Sequence, residues 1–333
     1  SNMVCGDYST NERTMIPVPT GMTNVKYVAQ GFAMALYLTN YGQVFFAGGD
    51  YAATYKNPEL TQLPFDAEVI DMSANVGDAY FIVKSGEYTT EEGRKYPSGD
   101  IYKWDMNHFA GPELVAEGDF IQIAVGADTV AAIDKFGDVF TWGSNVTRYG
   151  DGTALLPVEE RVVRTSPSAE ANIKGLKIRW ISAGEYHFAA VDLNNEVWTW
   201  GHGQYGKLGN GKDAAEYTAF KAAGFGNNVN TVSTKGGFTV AALKDGKMRT
   251  VGWHNLIYQG TGYNKDYNVK EIAFDKFVVD VAGNGGHGDS SIVMDETGQV
   301  WGWKGNRQGR LGDGTETERH NLVAALPAAI PED

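Results

Sequence analysis

A strand pattern that recurs six times, glycines that return at fixed offsets, and the lack of a helical period predict an all-β protein. The length of the repeat specifies the architecture, a β-propeller of six or seven four-stranded blades, with the ring closed by strands from both termini. The chain has 333 residues, of which 42% are hydrophobic and 12% aromatic, so it can bury the large hydrophobic core that a propeller needs.

The recurring strand begins with an apolar residue, continues with large residues at alternate positions and in most copies ends in glycine. A period of two is typical of a strand, and aromatic and β-branched residues favour a pleated sheet. The clearest copy is Val197-Trp198-Thr199-Trp200-Gly201. The six copies occupy residues 44–48, 101–105, 139–143, 197–201, 248–252 and 300–304.

A second strand, such as Phe188-Ala189-Ala190-Val191, precedes the recurring one and is joined to it in several units by a glycine-containing hairpin turn such as Phe136-Gly137. Glycine pairs such as Gly209/Gly211 follow it, and the strand ends are spaced by about 51 residues on average. Repeated turns and bends therefore account for much of the high glycine content, 42 residues, without any ligand.

The fourth unit resembles the repeat of the regulator of chromosome condensation family in Ser182-Ala183-Gly184-Glu185-Tyr186-His187, in Trp200-Gly201 and in Gly206-Lys207-Leu208-Gly209-Asn210-Gly211. The sixth unit is similar in Gln299-Val300-Trp301-Gly302-Trp303. The resemblance covers about residues 14–327 and implies a β-propeller. It implies no single function, because members range from nucleotide exchange factors to photoreceptors and enzyme inhibitors.

The copies also depart from the family pattern. The histidine of the repeat is present only as His187, and its counterparts are Met34, Thr129, Thr239 and Ser290. Such divergence indicates units adapted to a ring rather than copies of an active site. We therefore expect a structural role for His187, and inter-blade packing for Trp104, Trp142, Trp200 and Trp303.

The domain prediction is a tag scar and N-terminal tail over residues 1–13, followed by one propeller of about six repeat units over 14–330. Apolar segments at both ends, Met15-Ile16-Pro17-Val18 and Leu322-Val323-Ala324-Ala325-Leu326, are candidates for the strands that close the ring. Residues 85–99 and 158–177 read as surface loop insertions.

Charge and composition exclude several classes of partner. The net charge is −13, and no Lys/Arg-rich run is present, so nucleic acid is not expected as the main partner. One cysteine excludes a disulfide framework within the chain, and the lack of a long apolar run predicts no membrane span. We expect a monomer, and a cytoplasmic rather than a secreted location.

No motif assembles a catalytic, cofactor or metal site. Residues 201–206 satisfy G-x-G-x-x-G, but Lys207-Leu208-Gly209-Asn210-Gly211 follows where a dinucleotide site needs a helix. Gly206 to Lys212 begins like a P-loop, but Asp213 stands where Ser or Thr would bind magnesium. The Gly-Asp-Gly-Thr segments at 150–153 and 312–315 supply one carboxylate each, whereas calcium takes six or more oxygens. We predict no cofactor, no metal and no enzymatic activity.

The loops that follow the recurring strands are the candidate binding surface. Repeat equivalence predicts that they project from one face, and tyrosine, tryptophan and arginine are enriched at binding hot spots. The candidate partner-binding residues are Tyr51, Tyr55, His108, Arg148, Tyr149, Tyr205, Trp253, His254, Tyr258, Tyr263 and Arg307.

Three functions fit these observations. The first is a non-enzymatic propeller that binds a protein partner through this face. The second, implied by the resemblance, is guanine-nucleotide exchange on a small GTPase. The third is a secreted or phage-type inhibitor, adhesin or carbohydrate-binding protein, since tyrosine- and tryptophan-rich faces also suit that role.

Overall fold

The computed structural model describes residues 22–30, 34–49, 56–106, 110–252, 266–284, 290–306 and 309–327. Over these residues the chain forms 22 β-strands and six single-turn 3-10 helices, with no α-helix among them. The predicted all-β class is confirmed. The predicted tail, residues 1–13, and the segment 15–18 lie outside the described residues.

The strands form six consecutive units, each an antiparallel meander of four strands. The bounds are β1 Val25–Gln30, β2 Met34–Thr39, β3 Val44–Gly49 and β4 Lys56–Gln62 in unit one; β5 Val69–Ala74, β6 Asp78–Thr89, β7 Lys95–Asp105 and β8 Glu113–Val125 in unit two; β9 Thr129–Asp134, β10 Asp138–Gly143 and β11 Asn172–Ala183 in unit three; β12 His187–Asp192, β13 Val197–Gly201 and β14 Glu216–Lys221 in unit four; β15 Val229–Lys235, β16 Phe238–Leu243, β17 Met248–Gly252 and β18 Asp266–Ile272 in unit five; β19 Val278–Asn284, β20 Ser290–Asp295, β21 Val300–Lys304 and β22 Arg319–Ala324 in unit six.

Two long strands each serve two units. The first part of β8 pairs with β7, and its second part, from Phe120, pairs with β9 as the first strand of unit three. In the same way β11 pairs with β10 and then, from Ile178, with β12 as the first strand of unit four. Units two, three and four are therefore joined into one ten-stranded sheet.

The six recurring strands predicted from the sequence are the third strands of the six units: β3, β7, β10, β13, β17 and β21. Their terminal glycines have a physical reason. Gly201 has φ of +98°, and a Cβ there would lie 2.7 Å from the Tyr186 carbonyl oxygen. Only glycine adopts this conformation at the strand end without strain, because φ is positive and a side chain would clash with the neighbouring loop.

Residues 85–99, predicted as a loop insertion, are mostly strand. They extend the hairpin of β6 and β7 beyond the sheet, with Thr89 paired to Lys95, and only residues 90–94 form the turn. The rings of Tyr88 and Tyr96 stack across the extension at 5.8 Å. Cross-strand aromatic contacts of this kind stabilise a hairpin. The charged residues at its tip favoured the prediction of a loop from the sequence.

Successive units pack through their first strands, which we call the inner strands: β1, β5, the second parts of β8 and β11, β15 and β19. Every inner strand has a register shift at the same place, which is the signature of a β-bulge. A bulge re-aims the side chain that follows it. In the six units that residue is Tyr27, Asp71, Gln122, Trp180, Thr231 and Asp280.

Three of these side chains form hydrogen bonds with the backbone of the following inner strand. The Asp71 carboxylate accepts a hydrogen bond from the Ile123 amide at 2.8 Å, and the Gln122 carbonyl oxygen accepts one from the Ile181 amide at 2.9 Å. The Trp180 indole donates to the Val232 carbonyl oxygen at 2.9 Å. Backbone amide and carbonyl groups along the edge of one inner strand therefore find hydrogen-bond partners in side chains of the neighbouring inner strand.

Two residues further along, serines repeat the same connection. The hydroxyl oxygens of Ser73, Ser182 and Ser233 accept hydrogen bonds of 2.9–3.1 Å from inner-strand amides of the following unit. Units two to six are thus linked in series.

Tyr27 follows the bulge in the inner strand of unit one. Burial raises the pKa of the Tyr27 hydroxyl, and the carboxylates of Asp71 and Asp280 raise it further. No described sheet combines strands from both termini, and Leu322–Ala324 belongs to β22, which pairs with β21.

Buried tryptophans pack units two, three and four against the preceding unit. Trp104 contacts Phe46 of unit one edge-on, with ring centroids 5.3 Å apart, and Trp142 contacts Tyr80 of unit two at 6.3 Å. The Trp200 indole donates to the Arg148 carbonyl oxygen of unit three at 3.1 Å. The expected inter-blade role agrees with these contacts.

Asp71 provides a test of the inner-strand contacts. Burial raises the pKa of its carboxyl to about 7, although the Ile123 amide and Lys26 oppose the shift. Its stabilising contribution is therefore full below about pH 4 and is lost as the pH rises towards 7. We expect Asp71→Asn, which keeps the acceptor oxygen, to raise the free energy of unfolding at pH 8 by about 1–4 kcal/mol, since one pKa unit corresponds to about 1.4 kcal/mol.

Denaturant unfolding at pH 4 and pH 8 measures this effect. The exposed Asp66 is the matched control, and Asp66→Asn should change stability little at either pH. An equal effect of Asp71→Asn at both pH values would contradict the argument.

Candidate partner-binding surface

The loops after the first and third strands of each unit emerge on the same side, because alternate strands of an antiparallel meander run in the same direction. We call this side the loop face, and the opposite side the turn side. Of the predicted binding residues, Arg148, Tyr149 and Tyr205 lie in described connections of the loop face. Those outside the described residues are Tyr51, Tyr55, His108, Trp253, His254, Tyr258, Tyr263 and Arg307.

Arg148 lies at the centre of a cluster between units three and four. It ends the single turn of η1, Val146–Arg148, and forms an ion pair with Asp128. Its guanidinium lies 4.4 Å from the centroid of the Tyr186 ring, in a cation–π contact. The Tyr186 ring meets the His202 ring edge-on at 6.3 Å. These four side chains, Asp128, Arg148, Tyr186 and His202, form what we call the loop-face ladder.

The neighbouring loops are fixed to one another by backbone contacts. The Ala127 amide of unit three donates to the Glu185 carbonyl oxygen of unit four at 2.9 Å, and the His202 amide donates to the Tyr186 carbonyl oxygen at 2.8 Å. Asn75 of unit two donates to the Gly126 carbonyl oxygen at 3.0 Å. The ladder is therefore held in place before any partner binds.

Tyr149, next to Arg148, lies beneath this surface and is fully buried, with 0% of its area exposed. Its hydroxyl donates to the Gly143 carbonyl oxygen at 2.6 Å and accepts from the Arg164 amide at 2.9 Å. In this structure Tyr149 closes the base of the loop, and its ring is not available to a partner.

Tyr205 lies in the single turn of η5, Gln204–Gly206, and is half-buried. Its φ is +69°, an uncommon value for a residue with a side chain. The Asp213 carboxylate, which accepts from the Tyr205 amide at 2.6 Å, holds this conformation.

Sequence reasoning missed Asp128, Tyr186 and His202. The prediction considered only the loops after third strands, whereas Asp128 and Tyr186 follow first strands. Tyr186 is 40% exposed and directly precedes His187, the histidine of the repeat. Its position in the repeat, in the loop after a first strand, is the signal that could have identified it.

His187 is a structural residue in this fold. It is fully buried, and its Nε2 lies 3.1 Å from the Thr239 hydroxyl of unit five. Burial, reinforced by the charge of Lys207, holds its pKa well below the usual range, so it is neutral. Strand pairing also corrects the alignment of unit five. Phe238, not Thr239, pairs with the strand-end Gly252 as His187 pairs with Gly201.

The glycine motifs serve the backbone. A Cβ on Gly203 would lie 1.7 Å from the Ala214 carbonyl oxygen, so this glycine permits a close approach of two chain segments. Lys207 is buried, and its amino group donates to the Gly236 carbonyl oxygen at 3.1 Å. Lys212, the lysine of the P-loop-like segment, forms an ion pair with Glu216 at 3.0 Å.

In each of the two Gly-Asp-Gly-Thr loops the aspartate forms an ion pair with an arginine of the same chain. Asp151 is paired with Arg164 at 2.7 Å and Asp313 with Arg319 at 2.5 Å, so each carboxylate already has a cationic partner. Within the described ranges no cluster of three histidine, cysteine or acidic side chains could hold a metal ion. No helix in the same part of the chain is long and apolar enough to span a membrane.

Comparison with known proteins agrees with this architecture. The family model for the regulator of chromosome condensation (RCC1) repeat matches residues 178–207. The ultraviolet-B receptor UVR8 of Arabidopsis thaliana is 26% identical over 259 residues, which are 75% of this chain and 57% of the receptor. The E3 ubiquitin-protein ligase HERC2 of Homo sapiens is 26% identical over 304 residues, which are 87% of this chain and 6% of the ligase. The chain therefore spans just over half of one relative and a small part of the other.

Solved structures show the same fold. Prp20p of Saccharomyces cerevisiae, whose structure was described with its binding properties to Gsp1p and histones, has a TM-score of 0.77 at 16% identity. The alignment covers 98% of this chain and 84% of Prp20p. Human WBSCR16 has a TM-score of 0.69, with 95% of this chain covered and 85% of that chain.

Four-stranded units that pack through their first strands define the chain as a β-propeller, with six such units in the described residues. The repeat match and the relatives place it more narrowly. Residues 178–207 match the repeat of the regulator of chromosome condensation, and most of the chain is similar to proteins that carry this repeat.

The loop-face ladder predicts an electrostatic coupling. Burial lowers the pKa of His202, and the positive charges of Lys207 and Arg148 lower it further, against the opposing charge of Asp213. We expect Arg148→Gln to raise the His202 pKa towards its ordinary value, because one nearby cation is removed. An NMR titration of the histidine ring protons, assigned with His202→Gln, measures the shift. Arg94→Gln, at the tip of the β6–β7 hairpin, is the control, and an unchanged His202 pKa in Arg148→Gln would refute the coupling.

Proposed function

We propose that this protein is a non-enzymatic interaction propeller that binds a macromolecular partner, a protein, through its loop face. The observation that carries the proposal is the loop-face ladder. It presents an arginine stacked on a partly exposed tyrosine at the junction of two units. Arginine and tyrosine are among the residues that dominate binding energies at interfaces.

The ladder has the properties of a preorganised contact surface. Its loops are joined across units by backbone hydrogen bonds, so little conformational entropy would be lost on binding. Its charges are paired within the protein, since Asp128 holds Arg148. Exposed edges of the Tyr186 and His202 rings are left for contact with a partner.

Further support comes from the sequence and from the relatives. Repeat equivalence in the sequence predicts further aromatic residues, among them Trp253 and Tyr258, in the loops that follow third strands. The net charge of −13 favours a partner with a basic surface and disfavours nucleic acid. Prp20p, which has the same fold, was characterised for its binding to the proteins Gsp1p and histones.

A combined variant tests the loop face. Tyr186→Ala, Tyr205→Ala, Trp253→Ala and Tyr258→Ala together should weaken binding of a captured partner at least tenfold, as expected when several hot-spot side chains are removed. The measurement is affinity capture from the native source, followed by titration of the purified partner.

The control variant removes equally large exposed side chains from the turn side. Tyr41, Phe136 and Leu193 are 71%, 64% and 62% exposed in turns between second and third strands. Their combined replacement by alanine should leave binding unchanged. Loss of binding only in this control would overturn the choice of face.

The same proteins test the exchange-factor alternative. Labelled-nucleotide release is measured on a panel of small GTPases. Acceleration by the unmodified chain, lost in the loop-face variant, would assign exchange activity to this face. No acceleration across the panel would reject that activity and leave the binding role. Binding on a glycan array would instead support the carbohydrate-binding alternative.

A further inference from the structure

The connection between β10 and β11 of unit three contains an unusual concentration of exposed aliphatic side chains. We call residues 153–163 the aliphatic loop. Leu155, Val158 and Val162 are 67%, 74% and 66% exposed, and Leu156 and Val163 are also exposed. No other stretch of this length in the described chain has more than two exposed large hydrophobic residues.

The aliphatic loop has a defined conformation. It contains the single turns η2, Thr153–Leu155, and η3, Val158–Glu160, each followed by a backbone amide that bonds back into the turn. The Arg161 guanidinium donates to the Leu156 carbonyl oxygen at 2.8 Å and joins the two turns. Local hydrogen bonds therefore satisfy the backbone while the apolar side chains point outwards.

A partly buried arginine anchors the base of the loop. The Arg164 guanidinium is paired with Asp151 at 2.7 Å and lies 4.7 Å from the centroid of the Tyr149 ring. Its carbonyl oxygen accepts from the Gly143 amide at 2.8 Å. The ends of the loop are thus tied to the third strand of unit three.

The loop is also attached to the outer strand of unit four. The Gly152 amide donates to the Tyr217 carbonyl oxygen at 2.9 Å, and the Ala219 amide donates to the Gly150 carbonyl oxygen at 2.7 Å. Two units therefore hold the loop with its apolar residues in solvent. Single exposed hydrophobic residues are common on protein surfaces, whereas a contiguous exposed apolar cluster indicates an interaction site. The rigid attachment of this loop agrees with such a role.

We propose that the aliphatic loop inserts into an apolar groove with a basic rim on a partner protein. This inference rests on the proposed function for the existence of a protein partner and adds a second contact element. The basic rim follows from Glu159 and Glu160, which are exposed between the two aliphatic clusters and would enter the interface with them. A second copy of the chain fits poorly, since face-to-face loops would oppose two acidic pairs in a chain of charge −13.

The first experiment locates the contact. A photoreactive phenylalanine analogue replaces Val158 in the full chain, and irradiation in an extract of the native source is followed by identification of the crosslinked peptide. Phe136, equally exposed on the turn side of the same unit, is the control position. The expected product, obtained at 158 and not at 136, joins the loop to an apolar surface of the partner bordered by lysine or arginine.

Binding of that purified partner is then measured. Leu155→Ser, Val158→Ser and Val162→Ser together should raise Kd at least tenfold, because an apolar anchor is lost. Glu159→Lys with Glu160→Lys should also raise Kd, and the effect should shrink at high salt. Leu193→Ser is the matched control and should bind normally. Each variant should keep the Tm of the unmodified chain, because the replaced side chains are exposed.

Several outcomes would overturn the inference. They are a crosslink between two copies of the chain, adducts at 158 identical to those at 136, no adduct at 158, or an unchanged Kd in the serine variant. The proposed function is judged separately by the loop-face variant. If that variant loses binding while the serine variant retains it, only the aliphatic loop is rejected.

Discussion

Hydrogen bonds from side chains of one inner strand to the backbone of the next are the interaction on which the structure depends. Inner strands of neighbouring units pack together without pairing with each other in a β-ladder, which leaves polar backbone groups without ladder partners. Asp71, Gln122 and Trp180 satisfy those groups in turn. An unsatisfied buried amide costs about 1–3 kcal/mol, so each contact matters to the joining of two units.

The bulge makes this arrangement possible. It occurs at the same place in every inner strand and turns the following side chain towards the neighbouring unit. Buried tryptophans on the third strands add apolar contacts between the same units, as Trp104 and Trp142 do. Polar and apolar contacts together fix the position of one unit relative to the next.

The geometry of the loop face depends on these contacts between neighbouring units. Arg148 belongs to unit three and Tyr186 to unit four, so their stacking requires that the two units keep a fixed distance. The aliphatic loop has the same dependence, because its base bonds to both units. A protein can be specific for its partner in this way, by holding several contact elements in one rigid arrangement.

The sequence predicted the elements that repeat and missed those that do not. Third strands were predicted correctly, because positive φ at the strand end and alternation within the strand favour the same residue types in most units. The inner-strand positions held by Tyr27, Gln122 and Asp280 share no chemistry, and a bulge has no sequence signature, so self-comparison could not find them. Arg148 and Tyr149 show the same limit at the site. They are adjacent and chemically suited to binding, yet the fold puts one in the surface ladder and buries the other.

The central claim is that inter-unit contacts at the inner strands make the six units one cooperative body. Native-state hydrogen exchange tests this most directly. It measures the opening free energies of inner-strand amides such as Ile123, Ile181 and Gly283, which donate to the preceding unit. We expect one shared value, equal to the free energy of global unfolding, for all of these amides. Values that differ from unit to unit, with each unit opening separately, would contradict it.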